Sequence, residues 1–404
     1  MKHITGLKKD LILVKNMKNK DLRRLPLNSS WYLLRTFKNE KLTKIGGKYV
    51  INTFMPPFPS IAFDQLIKST AAVYYNKVIP YSTYVSLTNK CGFNCWHCSK
   101  AYRQGEELRK EAWIQIMKDL QGIGVSVIGF TGGEPLLRRD LEDIIKSIDS
   151  RSITILFTSG DGLTDEKAKS LKDAGLFYIA ISLDHYDKVK HNKLRGSDRA
   201  FDVAVQAIEN SLKNGFYTAL QLTVRKDFLN RKDMDKYIEF VNYLGAQEIR
   251  ITEPMPTGRL IKEKADIFLD KSEHELLKNY HIEANKNKNL PKIAAFAYIE
   301  DEDFYGCGAG IQHLYIDAFG NLCPCDFTPL SFGNVHEQGF AVVYQRLRQQ
   351  FNRPRDKCFV LDNMDKIRSC FESDLPLEYE ESVEVCQVCS EGNLPKFYKK
   401  LGWR

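Results

Sequence analysis

From Tyr84 onward the chain repeats one pattern: a short run of β-branched or aromatic residues, then a longer stretch with apolar residues at helical spacing. Six runs occur, at 84–87, 125–130, 154–157, 177–181, 219–224 and 248–252. Strands that are apolar throughout, joined by amphipathic helices, bury both faces of a parallel sheet. Six βα units are too few for a closed eight-stranded barrel, so the expected fold is α/β, a partial (β/α)6 TIM-like barrel with its chemistry on the loops after the strands.

The rest of the chain divides around that core. Residues 1–80 form an N-terminal extension with strand-like runs at 31–36 and 49–54 and a proline-rich 54–60 that disfavours helix. The core occupies 81–260, a charged helical bridge 261–293, and a small cysteine-rich C-terminal domain 294–404. Residues 1–50 carry 13 Lys/Arg against 3 Asp/Glu, which leaves about −2 for everything else out of the net +8. A basic segment of this kind is either a solvated arm or a surface for an acidic peptide, nucleic acid or an anionic membrane. No apolar stretch reaches the ~20 residues of a membrane span. No signal-peptide pattern opens the sequence, so a cytoplasmic protein is expected.

Ten cysteines without an export signal argue for metal or redox roles rather than disulfides. Three fall in one segment directly after the first strand: Cys91, Cys95 and Cys98. Thiolates are the ligands of iron-sulfur clusters, and three can hold three irons of four, leaving one open to a small molecule. Zinc would close its tetrahedron with a fourth protein ligand, and no second cysteine pair lies nearby. His97 sits between two of the cysteines and reads as a packing or hydrogen-bonding residue rather than a ligand. At the end of the second strand, Thr131, Gly132, Gly133, Glu134 and Pro135 offer a backbone that a ligand can approach closely, and acceptors for an ammonium group.

The three-cysteine loop followed at this spacing by that turn resembles the radical S-adenosylmethionine (SAM) superfamily, over about residues 82–255. The resemblance implies that Cys91, Cys95 and Cys98 bind a [4Fe-4S] cluster whose open iron is chelated by SAM. It also implies that Gly132, Gly133, Glu134 and Pro135 line the methionine end of SAM. It places Ser159, Ser182 and Asp184 near SAM, and Arg195 near the SAM carboxylate or the substrate; Thr223 and Arg225, at the end of the fifth strand, are expected at the same mouth from their position. An electron from flavodoxin or ferredoxin, passed through the cluster, would break a carbon–sulfur bond of SAM. The products would be methionine and a 5′-deoxyadenosyl radical that abstracts hydrogen from substrate.

Beyond residue 300, Cys307, Gly320 and Cys325 are separated by twelve and four residues, and this resembles the opening of the SPASM and shorter twitch extensions of the same superfamily. A hairpin turning at 318–321 would bring Cys307 and Cys325 together. Cys386 and Cys389 would complete four ligands of one auxiliary [4Fe-4S] cluster; zinc at this set would make the extension structural. The full SPASM pattern needs further cysteines after the pair, and position 395 is Pro395. Cys323, Cys358 and Cys370 are left as alternative ligands, further partners or buried thiols.

Domain order resembles enzymes that modify ribosomally made peptides, with residues 1–80 recognising a leader peptide by strand addition. A small-molecule substrate of cofactor or lipid biosynthesis is the alternative, in which the basic extension rests on an anionic membrane. A non-catalytic iron-sulfur carrier would need no SAM turn, so residues 131–135 count against it. No nucleic-acid partner is expected.

Overall fold

In the computed structural model, which describes residues 3–16, 20–22, 25–389 and 392–403, a small antiparallel sheet comes first: β1 (His3–Ile4), β2 (Leu42–Ile45) and β3 (Lys48–Val50). The six expected runs then form β4 (Ser82–Ser86), β5 (Val127–Thr131), β6 (Ile153–Thr158), β7 (Tyr178–Ser182), β8 (Tyr217–Thr223) and β9 (Glu248–Thr252), each parallel to the next. Helices such as Lys110–Ile123, Ala200–Lys213 and Arg231–Leu244 connect them.

The parallel sheet does not stop at six strands. β10 (Lys292–Ala295) adds beside β9, and β11 (His313–Ile316) beside β4, both parallel, and β12 (Leu322–Cys323) pairs antiparallel with β11. The order is β10-β9-β8-β7-β6-β5-β4-β11-β12. These added strands are four residues or shorter, and two of them begin on Lys292 and His313, so neither shows a strand-length apolar run. They cover both edges of the core, which would otherwise present unpaired backbone. The bridge and the C-terminal segment are therefore built into the same sheet as the core.

Alternation along the strands separates two interiors. Val85, Ile128, Phe130, Leu156, Ile179, Ile181, Leu220, Leu222, Ile249 and Ile251 pack under the helices. Tyr84, Val127, Ile155, Tyr178, Ala180, Tyr217, Ala219 and Tyr315 fill the concave side. Gly129 belongs to this inner layer because a Cβ there would lie 2.3 Å from the Tyr84 ring.

The N-terminal extension closes the barrel floor. Tyr178 donates to Met55 O at 3.0 Å, Thr53 N donates to the Glu248 carboxylate at 3.1 Å, and Lys292 donates to Val50 O at 3.0 Å and to Ile51 O. Part of the basic excess is thus structural. Buried Lys41 donates to Ala284 O, Asn287 O and Leu290 O at 2.8–2.9 Å, satisfying carbonyls at the C-terminal end of the helix Lys271–Lys286. Lys9 does the same for Phe37 O and Lys38 O at 2.9 Å.

Two local expectations fail: of the 49–54 run only 49–50 are strand, within β3, and 31–36 lies in a helix, Leu27–Thr36, preceded by Pro26. Ser29, Leu33 and Thr36 recur at helical spacing on its buried face while Trp31 stays exposed, so tertiary packing overrides β propensity. Residues 51–60 contain no helix, as the prolines require. Among the described residues no helix is long and apolar enough to cross a membrane.

Candidate active site

The three-cysteine loop leaves the end of β4 and is laced to its surroundings by backbone. Gly133 N donates to Thr88 O at 2.7 Å and Glu134 N to Lys90 O at 2.8 Å. Asn94 N donates to Arg195 O at 3.0 Å, Trp96 N to Leu194 O at 3.1 Å, and Arg259 N to Cys98 O at 3.1 Å. Each contact is made where a glycine permits it. A Cβ on Gly133 would sit 2.1 Å from Lys90 O, and one on Gly258 2.2 Å from Cys98 O, in a segment (residues 254–259) that the sequence reading did not single out. Backbone packed this closely fixes where the thiols stand without using any side chain.

Cys91, Cys95, Cys98, Gly132, Gly133, Ser159, Ser182, Arg195 and Thr223 all line one cavity of about 370 Å³ at the C-terminal ends of the strands. Glu134, Pro135 and Asp184 were expected beside SAM; they stand behind this wall. The Glu134 carboxylate is buried and accepts from Thr158 Oγ1 at 2.7 Å, Ser159 N at 2.8 Å, Ser159 Oγ at 2.5 Å and Leu136 N at 3.1 Å. Four donors fill its lone pairs, so it ties the glycine turn to the β6 loop and leaves the turn's backbone to face the cavity. Burial pushes its pKa up against those hydrogen bonds.

Asp184 is likewise enclosed. It pairs with Arg195 Nε at 2.7 Å and accepts from Thr223 N at 3.1 Å. Burial opposes its charge, but Arg195 together with His97, His191 and the Thr223 N–H holds the carboxyl below its usual range. Arg195 in turn directs Nη1 to the Cys95 sulfur at 3.7 Å. His97 shares a hydrogen bond with Thr223 Oγ1 at 3.3 Å, and burial lowers its pKa to about 4, so it is neutral at ordinary pH. Arg225 lies outside the cavity, over the Trp96 ring at 5.2 Å and paired with Asp227. Burial also pushes the Cys91 thiol up to about 11.

The sequence reading missed much of the remaining wall: Gln221, Arg250, Thr252, Glu253, Phe296 and Asp326. In the linear order they are ordinary strand and loop residues and, in Phe296, the start of a short helix; the fold brings them together.

The donor set fits a [4Fe-4S] cluster. Three thiols line one cavity on a loop held by backbone, and the adjacent Gly132–Gly133 backbone, which also lines it, packs so closely on that loop that a Cβ would meet Thr88 O at 2.3 Å or Lys90 O at 2.1 Å. The sequence itself matches the family model of the radical SAM superfamily over residues 85–241 and that of an iron-sulfur cluster-binding domain, SPASM, over residues 307–390. The chain belongs to the radical SAM superfamily. A curated relative of this radical SAM enzyme, the AdoMet-dependent heme synthase of Methanosarcina barkeri (strain Fusaro / DSM 804), is 25% identical over 296 residues, 67% of this chain and 83% of the relative. Among solved structures, Streptococcus suis SuiB bound to precursor peptide SuiA shares the fold with a TM-score of 0.58 at 16% identity, covering 81% of each chain. Native anSMEcpe with bound AdoMet and Kp18Cys peptide gives 0.55 at 18% identity, covering 76% of this chain and 96% of that one. The cofactors of this enzyme are therefore SAM, the SAM-binding [4Fe-4S] cluster and an auxiliary [4Fe-4S] cluster.

In the SPASM region the expected hairpin forms between β11 and β12, with Gly320 at φ +98° and the Asp317 carboxylate accepting from Phe319 N and Asn321 N. Cys307 and Cys325 line one small cavity of about 50 Å³, and the third cysteine on it is Cys358. The Cys307 thiol is held below its ordinary range, first by the hydrogen bond from Cys358. Cys386 and Cys389, expected in the same set, do not line this cavity; Cys386 lies in the last turn of the helix Tyr379–Gln387 and Cys389 just beyond it, and Arg355 acts electrostatically on them and on Cys307 alike. Cys323 is a buried thiol 3.8 Å from Arg103, which pairs with Asp317 at 3.0 Å. Tyr84, Met255, Phe296, Asp326 and Phe327 line both this cavity and the larger one.

Proposed function

We propose that Cys91, Cys95 and Cys98 hold the SAM-binding cluster, that the Gly132–Gly133 backbone receives the SAM amino group, and that Arg195 faces the SAM carboxylate. Cys307, Cys325 and Cys358 hold the auxiliary cluster, with the fourth ligand drawn from Cys386 and Cys389. The reaction modifies a peptide, with the small sheet β1–β3 contributing to recognition by strand addition and flavodoxin or ferredoxin as reductant. The observation that carries this reading is the shared wall. Asp326 and Phe327, next to Cys325, close the cavity that the three-cysteine loop opens.

When bound, the cluster and SAM supply a 5′-deoxyadenosyl radical by one-electron cleavage of a carbon–sulfur bond. The chain itself supplies position and exclusion of water. Tyr84, Phe157, Phe296 and Phe327 shield the cavity, and His97 lines it with Nε2 engaged by Thr223 Oγ1. Asp326 offers a proton acceptor. Burial opposes its charge, but His313 at 3.3 Å and Lys100 hold its carboxyl low and ionised.

A second reading, a small-molecule substrate of cofactor biosynthesis, is favoured by the heme synthase relative, whose match spans 83% of its length. Anaerobic reconstitution with iron and sulfide, then dithionite and SAM, tests the radical assignment. 5′-Deoxyadenosine is expected from wild type and not from Cys95→Ala, and none from a fully loaded wild type would overturn it. Adding peptides encoded beside the gene, or a haem precursor, then separates the two substrates. The one that stimulates nucleoside formation and changes mass identifies the class.

A further inference from the structure

Arg250 brings a guanidinium into the cavity from the middle of β9, and it is 1% exposed. Its three hydrogen bonds all go to neutral acceptors: Nε to Gln221 Oε1 at 3.0 Å, Nη1 to Thr53 Oγ1 at 2.7 Å, and Nη2 to the Tyr84 hydroxyl at 3.1 Å. A guanidinium has five N–H donors, so two remain for a ligand. The carboxylates nearby are committed elsewhere. Glu253 binds His274 at 2.5 Å, Asp326 faces His313, and Glu248 accepts from Thr53 and Tyr217 while its charge acts on Lys292.

Burying a cation is costly unless something balances its charge. Aromatic rings supply part of that balance, with the guanidinium carbon 3.8 Å from the Phe54 centroid and 5.0 Å from that of Phe157. They also make the surroundings apolar, which strengthens any charge-assisted bond formed there. Arg250 belongs to a layer below the cysteine loop, alongside Tyr84 and Phe157, which precede the ends of β4 and β6. The cations beside the cysteine loop are Arg195, Lys100 and Arg259.

We infer that Arg250 is the anchor for a carboxylate of the substrate, held bidentately at the floor of the cavity, so that the molecule acted on carries an acidic group on an apolar arm. The inference rests on reading this cavity as the substrate chamber. Arg250 is then a binding residue that fixes which carbon faces the radical.

The test uses reconstituted, SAM-loaded protein, so the carboxylate of SAM is already in place, and compares benzoate with its neutral isostere benzamide by ligand-observed NMR. Wild type is expected to bind benzoate at least about tenfold more tightly than benzamide, the margin of a charge-assisted pair. Arg250→Gln should lose that margin and Arg250→Lys keep part of it. Equal affinity of wild type for the two probes, including binding of neither, overturns the inference, as does undiminished benzoate preference in Arg250→Gln. Should Arg250→Gln not fold, the wild-type comparison and Arg250→Lys still decide it. Failure of the radical assignment would appear separately, as absence of 5′-deoxyadenosine in wild type.

Discussion

Cys91, Cys95 and Cys98 sit within eight residues of one loop, whereas Cys307, Cys325 and Cys358 come from three segments that only the folded chain brings together. The first set is positioned by backbone: glycines at 132, 133, 196 and 258 let neighbouring segments press against the loop. The second is positioned by topology, through the addition of β11 to the sheet edge and the β11–β12 turn. A local set can be lost at one residue of a turn. A dispersed set depends on the sheet, and its members can be tested singly.

The sharpest division of the two sets is Cys358→Ala. It is expected to lower iron content by about four per chain, the complement of one cluster. Substrate-free 5′-deoxyadenosine formation should persist and substrate turnover should be lost. Iron analysis with the nucleoside assay checks this, and an unchanged iron content would return Cys386 and Cys389 to the set without Cys358.

Next in size is Asp184→Asn. It leaves Arg195 charged and buried beside Cys95, and loss of one member of a buried pair costs about 3–5 kcal/mol. Urea unfolding of the wild type and variant measures it. A cost below about 1 kcal/mol, the scale of an exposed pair, would mean that Arg195 does not depend on Asp184.

A pair of glycines then separates close approach from backbone conformation. Gly133→Ala forces a Cβ to within 2.1 Å of Lys90 O and should cost about 1–3 kcal/mol by overpacking, together with weaker SAM binding. Gly175→Ala, at φ +104° with nothing within 4 Å, should cost only the conformational strain, about 1–2 kcal/mol, and leave SAM binding intact. Equal SAM affinity in both would remove the glycine turn from the site.

The same contrast explains what could be read from the linear chain. The six core strands and the three-cysteine loop were legible because each is a contiguous signal: a run of apolar residues, or donors at fixed spacing. β10 and β11 were not, because four residues beginning with Lys292 or His313 give no period to detect, and their pairing depends on edges the core leaves open. Glu134 was legible as part of the turn but not in its role, since the donors that consume its carboxylate lie on β6 and the loop after it. Arg250 carries no motif at all. It sits in an ordinary strand, and its meaning comes from Phe54 and Phe157, 196 and 93 positions earlier in the chain. The 31–36 run misled because Leu33 and Thr36 pack on one helical face, a fact about the neighbouring surface rather than the segment.

The last expected effect is confined to acid pH and lies away from both cysteine sets, in β1. His3 is buried and shares a hydrogen bond with Thr43 Oγ1 at 2.8 Å, and its pKa is lowered to about 3, first by burial and then by Lys41 and Lys292. The unfolded chain therefore binds this proton more tightly than the native one. Stability from neutral His3 is fully present above about pH 6.5 and is lost as pH falls towards about 3, by at most about 1.4 kcal/mol per pH unit for one proton. Hydrogen exchange at β1 and β2 should report this opening, and His3→Gln should flatten the dependence while leaving exchange in β4–β9 unchanged. Acid sensitivity that persists in His3→Gln would place the titrating group elsewhere and detach the N-terminal sheet from this histidine.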